Sequence, residues 1–123
     1  MHPDIRNAAY LLDMLQHARG VVRAVRGRTF AEYAADEDLR LAIERRIEII
    51  GEAARRVSES FQASHPEIPW RKIIAQRNVL AHEYGEVQVE ILWRVATVSI
   101  PELITFLEPL VPPIPPDATV DGA

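Results

Sequence analysis

The sequence has no cysteine, and it has no apolar run long enough to cross a membrane. Without cysteine, a disulfide framework and a thiolate metal site are excluded, which leaves histidines and carboxylates as candidate ligands or catalysts. A membrane-spanning helix would need about 18 consecutive apolar residues, and the N-terminus lacks the basic-then-apolar layout of a secretory signal. We therefore expect a soluble, cytoplasmic protein, and its 123 residues suit a single hydrophobic core.

The sequence also has little lysine, and its net charge is negative. Lys72 is the one lysine among 14 basic residues, and the formal net charge is −4, which argues against a large nonspecific nucleic-acid footprint. The charge is unevenly distributed, because residues 1–28 hold five arginines, whereas Arg94 is the one basic residue after Arg77. The planar fork of arginine suits phosphate recognition. Genome base composition explains the arginine excess equally well.

The first half of the chain predicts two amphipathic helices. Apolar residues recur at three- and four-residue spacing over 4–26 and over 39–61. Gly27 should end the first helix, and the capping-box spacing of residues 29–32 predicts a short helical turn after it. Asp36 can cap the second helix, which should run for about seven turns.

The segment 65–69 interrupts the helical pattern with two prolines. Each proline lacks a backbone donor and pushes the preceding residue out of helical geometry. Pro69 is well placed as a first helical residue, and the next helix should run from Trp70 to about Tyr84. Gly85 can then supply a left-handed C-terminal cap.

A final helix should span roughly 87–108, with Pro101 either kinking it near Thr97 or dividing it in two. Five prolines between Pro109 and Pro116 then predict a disordered tail over 111–123. No strand pattern is present. The sequence thus predicts one all-α domain over 1–110, an up-and-down bundle of four to five helices.

The chemistry-bearing stretch is RNVLAHEY, residues 77–84. On a helix that advances about 100° per residue, Arg77, Asn78, His82 and Tyr84 share an arc of about 160°. An alanine lies in the middle of that arc and is too small to fill it, whereas the valine and leucine point to the opposite side. The pattern predicts a shallow polar notch.

An arginine and a histidine beside such a notch suit cleavage of a phosphodiester. His82 can act as general base or acid near neutral pH, and Arg77 can bind the phosphate bidentately and stabilise its developing charge. Asn78 can orient His82 or bind a phosphate oxygen. With RNA as substrate, the 2′-hydroxyl is a built-in nucleophile, so no metal is required.

Structural roles are the alternative for both residues. A histidine near a helix end is more often a cap or a structural hydrogen-bonding group than a catalyst. Arg77 can likewise pair with Glu83 or with a carboxylate of the predicted helix over 39–61. Spacing alone does not separate these hypotheses.

Three segments resemble one known family. The string RNVLAHEY looks like the Arg-x4-His-x-Tyr motif of the HepT-like toxins, a branch of the HEPN superfamily. Residues 47–53, IEIIGEA, resemble the second-helix signature of that family, and residues 68–70, IPW, resemble its lead-in to the motif helix. The three lie in the same order as in the family, and the resemblance covers about residues 4–110.

The resemblance implies a helical bundle that forms a homodimer, with two motif helices facing a cleft where RNA is cut without metal. It implies that Arg77 and His82 are the catalytic pair. The implied partner is a minimal nucleotidyltransferase antitoxin, which in this family can modify the motif tyrosine, here Tyr84, with AMP. The added adenylate would place bulk and negative charge beside Arg77, where an RNA phosphate would bind.

Glu48 and Glu52 lie one helical turn apart, and Gly51 between them would let another helix approach closely. One hypothesis is that Glu52, or Glu48, orients Arg77 or His82. The equal alternative is a solvated acidic face whose carboxylates pair with nearby arginines, namely Arg45, Arg55 and Arg56.

The remaining histidines, His2, His17 and His65, have no companions at ligand spacing, so we expect neither a metal nor another cofactor. Trp70 and Trp93 lie among apolar neighbours and are expected to be packing residues.

Two functions remain open. The first is a homodimeric, metal-independent endoribonuclease toxin of a type II or type VII-like toxin–antitoxin system. The second is a noncatalytic phosphate-binding adaptor of a nucleotidyltransferase complex, which the net acidity favours slightly. A purely structural dimerisation bundle is a third interpretation.

Overall fold

The computed structural model describes residues 3–82 and 86–111, with side chains for residues 5–76 and 88–111. Every element within these ranges is helical, which confirms the all-α prediction. The α-helices are α1 (Pro3–Val25), α2 (Phe30–Ala35), α3 (Glu37–Arg56), α4 (Glu59–Ser64), α5 (Trp70–His82), α6 (Glu86–Arg94) and α7 (Ile100–Leu107). The predicted tail lies outside the described residues except for Val111, which is half-buried against the core.

The connection from α1 to α3 follows the sequence signals closely. Gly27 has φ 75°, a left-handed conformation that glycine adopts without steric cost, and α1 ends just before it. In the capping box, the Glu32 amide donates to Thr29 Oγ1 at 3.1 Å and the Thr29 amide donates to Glu32 Oε1 at 2.8 Å. Asp36 Oδ1 accepts from the Leu39 amide at 3.0 Å and so caps α3.

The prediction of one helix over 39–61 is wrong, because α3 ends at Arg56 and a separate helix, α4, begins at Glu59. Ser58 begins α4 by accepting the Phe61 amide on its hydroxyl at 3.3 Å. Buried Asn7 of α1 holds this break in place: its side-chain amide donates to Ser58 Oγ, and its oxygen accepts the Ser58 amide, both at 3.0 Å. The apolar spacing continues through the break, so periodicity alone cannot show it.

The long helices run alternately up and down. Asn7 lies beside Ser58, whereas His17 and Gly20 lie beside Arg46, so α1 and α3 are antiparallel. The ring of Trp70 contacts Phe61 near the end of α3, so α5 starts there and returns along α3, against which it packs.

The last helical segment runs without a gap from α6 to α7 and contains a turn of π-helix between them, which differs from the predicted division into two separate helices. Residues Val95–Ser99 form a turn of π-helix, in which the Ile100 amide donates to the Val95 carbonyl. Pro101 has no N–H to donate to the Thr97 carbonyl four residues earlier. The π-turn accommodates this missing hydrogen bond while the backbone stays helical. Beyond it, α7 packs against α1, and a short 3₁₀ turn, Glu108–Leu110, follows.

The core contains the apolar faces of these helices and two aromatic groups. Trp93 packs on Tyr33 with ring centroids 5.1 Å apart, and on Phe30 at 6.0 Å, while Trp70 is buried beside Phe61. The packing roles predicted for both tryptophans are confirmed. Among the helices that the structure describes, none is long and apolar enough to cross a membrane.

Candidate active site

Helix α5, which carries the candidate residues, is fixed at its beginning. The indole N–H of buried Trp70 donates to the His65 carbonyl at 3.0 Å, and the Ile73 amide donates to the Pro69 carbonyl at 3.0 Å. The first bond ties the helix to the loop before it. The second makes Pro69 the residue that precedes α5, which begins at Trp70 as predicted.

The backbone of α5 is helical through Arg77, Asn78 and His82. The five-position spacing between the arginine and the histidine therefore lies on one uninterrupted helix, as the arc argument requires. Their side chains lie outside the described residues, as do Tyr84 and Gly85 entirely. The shared notch thus remains a prediction.

Glu48 and Glu52 lie on α3 and form ion pairs with the arginines that the solvated-face hypothesis named. Glu52 Oε2 accepts from Arg55 at 2.6 Å and from Arg56 at 3.2 Å, and Glu48 Oε1 lies 3.7 Å from Arg45. All three ion pairs join residues three or four apart, the spacing of neighbours on a helix surface. A role for either carboxylate in orienting Arg77 or His82 remains a prediction.

The end of α5 is directed toward the beginning of α3. Gln88, six residues after His82, donates from its side-chain amide to Glu44 Oε1 of α3 at 3.5 Å. Gly51, from the predicted second-helix signature, is buried in α3, against which α5 packs. The end of α5 therefore lies at the end of the bundle where α2, α3 and α6 meet.

One polar group beside the motif was not found by sequence reasoning. Gln76 directly precedes Arg77, and its side-chain oxygen is buried without a hydrogen-bond partner among the described residues. The side chain borders a cavity of about 160 Å³ between α3, α5 and α7. The sequence offers no signal for it, because a glutamine at a helix position is ordinary until the packing around it is known.

Charged groups with shifted pKa values lie on α1 and α3. Partial burial lowers the pKa of His17, and the Arg46 guanidinium, 3.0 Å from His17 Nδ1, lowers it further. Burial raises the pKa of Glu44, and the nearby Glu48 carboxylate adds to the rise. His17 thus favours the neutral form that can accept a hydrogen bond from Arg46.

His65 has a structural role as well. It ends α4, its ring stacks on Phe61 at 4.5 Å, and its Nδ1 lies 3.2 Å from Glu67. No group of three or more metal-ligating side chains occurs in the part of the chain that the structure describes.

Comparison with known proteins places the chain in a family. Residues 14–110 match the family model described as "Ribonuclease HepT-like", which covers all of α5. The chain belongs to this HepT-like ribonuclease family. The resemblance recognised in the three sequence segments is therefore confirmed at the level of the family.

Individual relatives support the assignment. The chain is 35% identical over 94 residues to "Probable ribonuclease HepT" of Thermococcus cleftensis, an alignment that covers 76% of this chain and 86% of the relative. It is 36% identical over 94 residues to a "Putative RNase" of Caldanaerobacter subterraneus, covering 76% and 84%. A "Putative RNase" of Methanocaldococcus jannaschii is 30% identical over 95 residues, covering 77% and 87%. No solved structure shows a significant match to the chain.

Proposed function

We propose that this protein is a metal-independent endoribonuclease that acts as the toxin of a type II or type VII-like toxin–antitoxin system. The observation that carries the proposal is the motif RNVLAHEY, whose residues 77–82 lie on the continuous helix α5, within a chain of the HepT-like ribonuclease family. Arg77 and His82 are the catalytic residues in this proposal. Asn78 supports them.

The proposed reaction uses the 2′-hydroxyl of RNA as nucleophile. His82 accepts the proton of that hydroxyl while the 2′-oxygen forms a bond to phosphorus and the bond from phosphorus to the 5′-oxygen breaks. A proton donor, the second copy of His82 in a homodimer, protonates the departing 5′-oxygen. Arg77 binds the nonbridging phosphate oxygens, where negative charge increases in the transition state. The products are a 2′,3′-cyclic phosphate and a 5′-hydroxyl end.

The proposed antitoxin is a minimal nucleotidyltransferase that modifies Tyr84. The phenol oxygen attacks the α-phosphorus of ATP, pyrophosphate leaves, and AMP remains attached to the tyrosine. The adenylate adds bulk and negative charge two residues from His82. It therefore competes with an RNA phosphate for Arg77.

Substitution of His82 tests the nuclease directly. His82→Ala should abolish cleavage of RNA by nuclease-free protein and should abolish growth inhibition, with unchanged helical circular dichroism. His17→Gln is the matched control, because glutamine can still accept from Arg46 and His17 lies on α1. Cleavage retained by His82→Ala, or lost equally in His17→Gln, would reject the assignment.

Intact mass tests the modification. Coexpression with a minimal nucleotidyltransferase should add one or more adenylate units, and Tyr84→Phe should remove that increment. An increment that persists in Tyr84→Phe would move the modification to another residue.

A noncatalytic adaptor is the second candidate, and the net charge of −4 favours it. In this alternative, Arg77 holds a phosphate of a nucleotide for the partner enzyme and no bond is cleaved. Purified protein that binds RNA or nucleotide but yields no cyclic phosphate ends, with wild-type and His82→Ala protein behaving alike, would establish the adaptor.

A further inference from the structure

An open groove of about 720 Å³ lies between α2, α3 and α6. Its apolar wall comes from Phe30, Ala34, Leu41 and Val89, and its acidic rim from Glu37, Glu44 and Glu90. The groove lies at the same end of the bundle as the end of α5, because Gln88 borders it and contacts Glu44.

Two residues of the apolar wall are exposed. Phe30 is 39% exposed and Leu41 is 53% exposed, and both face the same groove. Single exposed apolar side chains are common on protein surfaces and carry no functional meaning. An aromatic and a leucine side chain that line one concave surface with a charged rim match the anatomy of a protein interface.

The charges of the groove favour a basic occupant. Arg40 is the single cationic residue among the lining residues that the structure describes, and it donates to the Ala34 carbonyl at the end of α2. Glu44 is partly buried and accepts a long hydrogen bond of 3.5 Å from Gln88. A carboxylate in such a position is stabilised by a cation placed against it. Nucleic acid would instead meet three carboxylates at the rim.

We propose that this groove docks a segment of a partner protein that presents apolar side chains along one face and arginine or lysine side chains beside them. The apolar side chains contact Phe30 and Leu41, and the basic ones pair with Glu37, Glu44 and Glu90. Because the groove lies at the same end of the bundle as the end of α5, a partner held there lies near the end of α5. This inference does not depend on nuclease activity.

A designed peptide tests the groove. The probe is a fluorescein-labelled amphipathic helix of about 18 residues, with leucine at positions i, i+3, i+4 and i+7 and arginine on either side of that stripe. Its affinity for the full chain is measured by fluorescence anisotropy. A scrambled peptide of the same composition, which has no apolar face, is measured in parallel.

Two triple variants with equal net charge locate the binding. The rim variant carries Glu37→Gln, Glu44→Gln and Glu90→Gln. It should weaken binding about tenfold in total, because the loss of each exposed ion pair alone weakens binding by less than tenfold. The control variant carries three substitutions outside the groove, Asp13→Asn, Glu59→Gln and Glu102→Gln, and should change affinity less than about twofold. Equal losses in both variants would mean general charge attraction and would overturn the proposal.

Leu41→Ala tests the apolar contribution at an exposed position, so folding should be little affected. We expect it to weaken peptide binding about threefold, in line with loss of part of an apolar contact. Binding of the scrambled peptide as tightly as the amphipathic one would contradict a specific groove. Sedimentation of the protein alone completes the test, because an oligomer that the rim variant dissociates would make a second copy of the chain the occupant and would also overturn the proposal.

Discussion

Removal of one buried hydroxyl should increase the stability of this protein. Tyr33 is fully buried, and its hydroxyl has no hydrogen-bond partner among the described residues. Burial also raises the pKa of this phenol, so the group is neutral at every pH of interest. A buried polar group without a partner costs about 1–3 kcal/mol relative to its hydrated state in the unfolded chain.

Tyr33→Phe keeps the ring that packs on Phe30 and Trp93 and deletes the oxygen alone. The vacated space is smaller than a methyl group, and leaving it empty lowers the free energy of unfolding by about 0.5 kcal/mol. The net expectation is a gain of about 1 kcal/mol in the free energy of unfolding. For a chain of this length, that gain corresponds to a rise of about 3–6 °C in Tm.

Urea denaturation followed by circular dichroism measures this change, with the m-value checked for constancy. Tyr10→Phe is the matched control: Tyr10 is half-buried, lines an open groove of about 390 Å³ between α1 and α3, and should change stability by less than about 0.5 kcal/mol. A loss of stability in Tyr33→Phe larger than in Tyr10→Phe would refute the reasoning, because it would show that the Tyr33 hydroxyl is hydrogen-bonded in solution.

Three further predictions concern the contacts that shape the bundle. Asn7→Ala removes both bonds to Ser58 and should lower the free energy of unfolding by about 2–3 kcal/mol in a urea titration, and an unchanged midpoint would contradict the role of Asn7. Thr29→Ala removes half of the capping box and should cost about 1 kcal/mol in the same assay; Thr29→Ser, which keeps the hydroxyl, is the control. The lowered pKa of His17 means that the unfolded chain binds a proton first as the pH falls below 6.5, so stability should decrease there, and His17→Gln should remove part of that decrease in thermal melts at several pH values.

Much of the fold follows from local sequence. Gly27, the capping box at Thr29 and the cap at Asp36 act on backbone groups within four residues, so their residue types determine the helix ends directly. Pro101 likewise imposes its irregularity on the carbonyl four residues earlier. The break at Ser58 does not follow in this way, because it depends on Asn7, 51 residues away in the chain.

The candidate site also has features that follow from local sequence and features that depend on distant contacts. Sequence pattern and family resemblance select Arg77, Asn78, His82 and Tyr84, and the helical backbone of α5 supports the spacing of the first three. The partners of Glu48 and Glu52 required coordinates, since each carboxylate had arginines within reach on its own helix and a second candidate role across the bundle.

The amino-acid sequence by itself determined that this chain is helical and where most of its helices begin and end, because these depend on groups close together in the chain. Only the tertiary structure decided the break between α3 and α4, the burial of the Tyr33 hydroxyl and the assembly of an acidic, apolar groove from three helices. Burial and electrostatic environment depend on which distant segments pack together, and no local pattern contains that information.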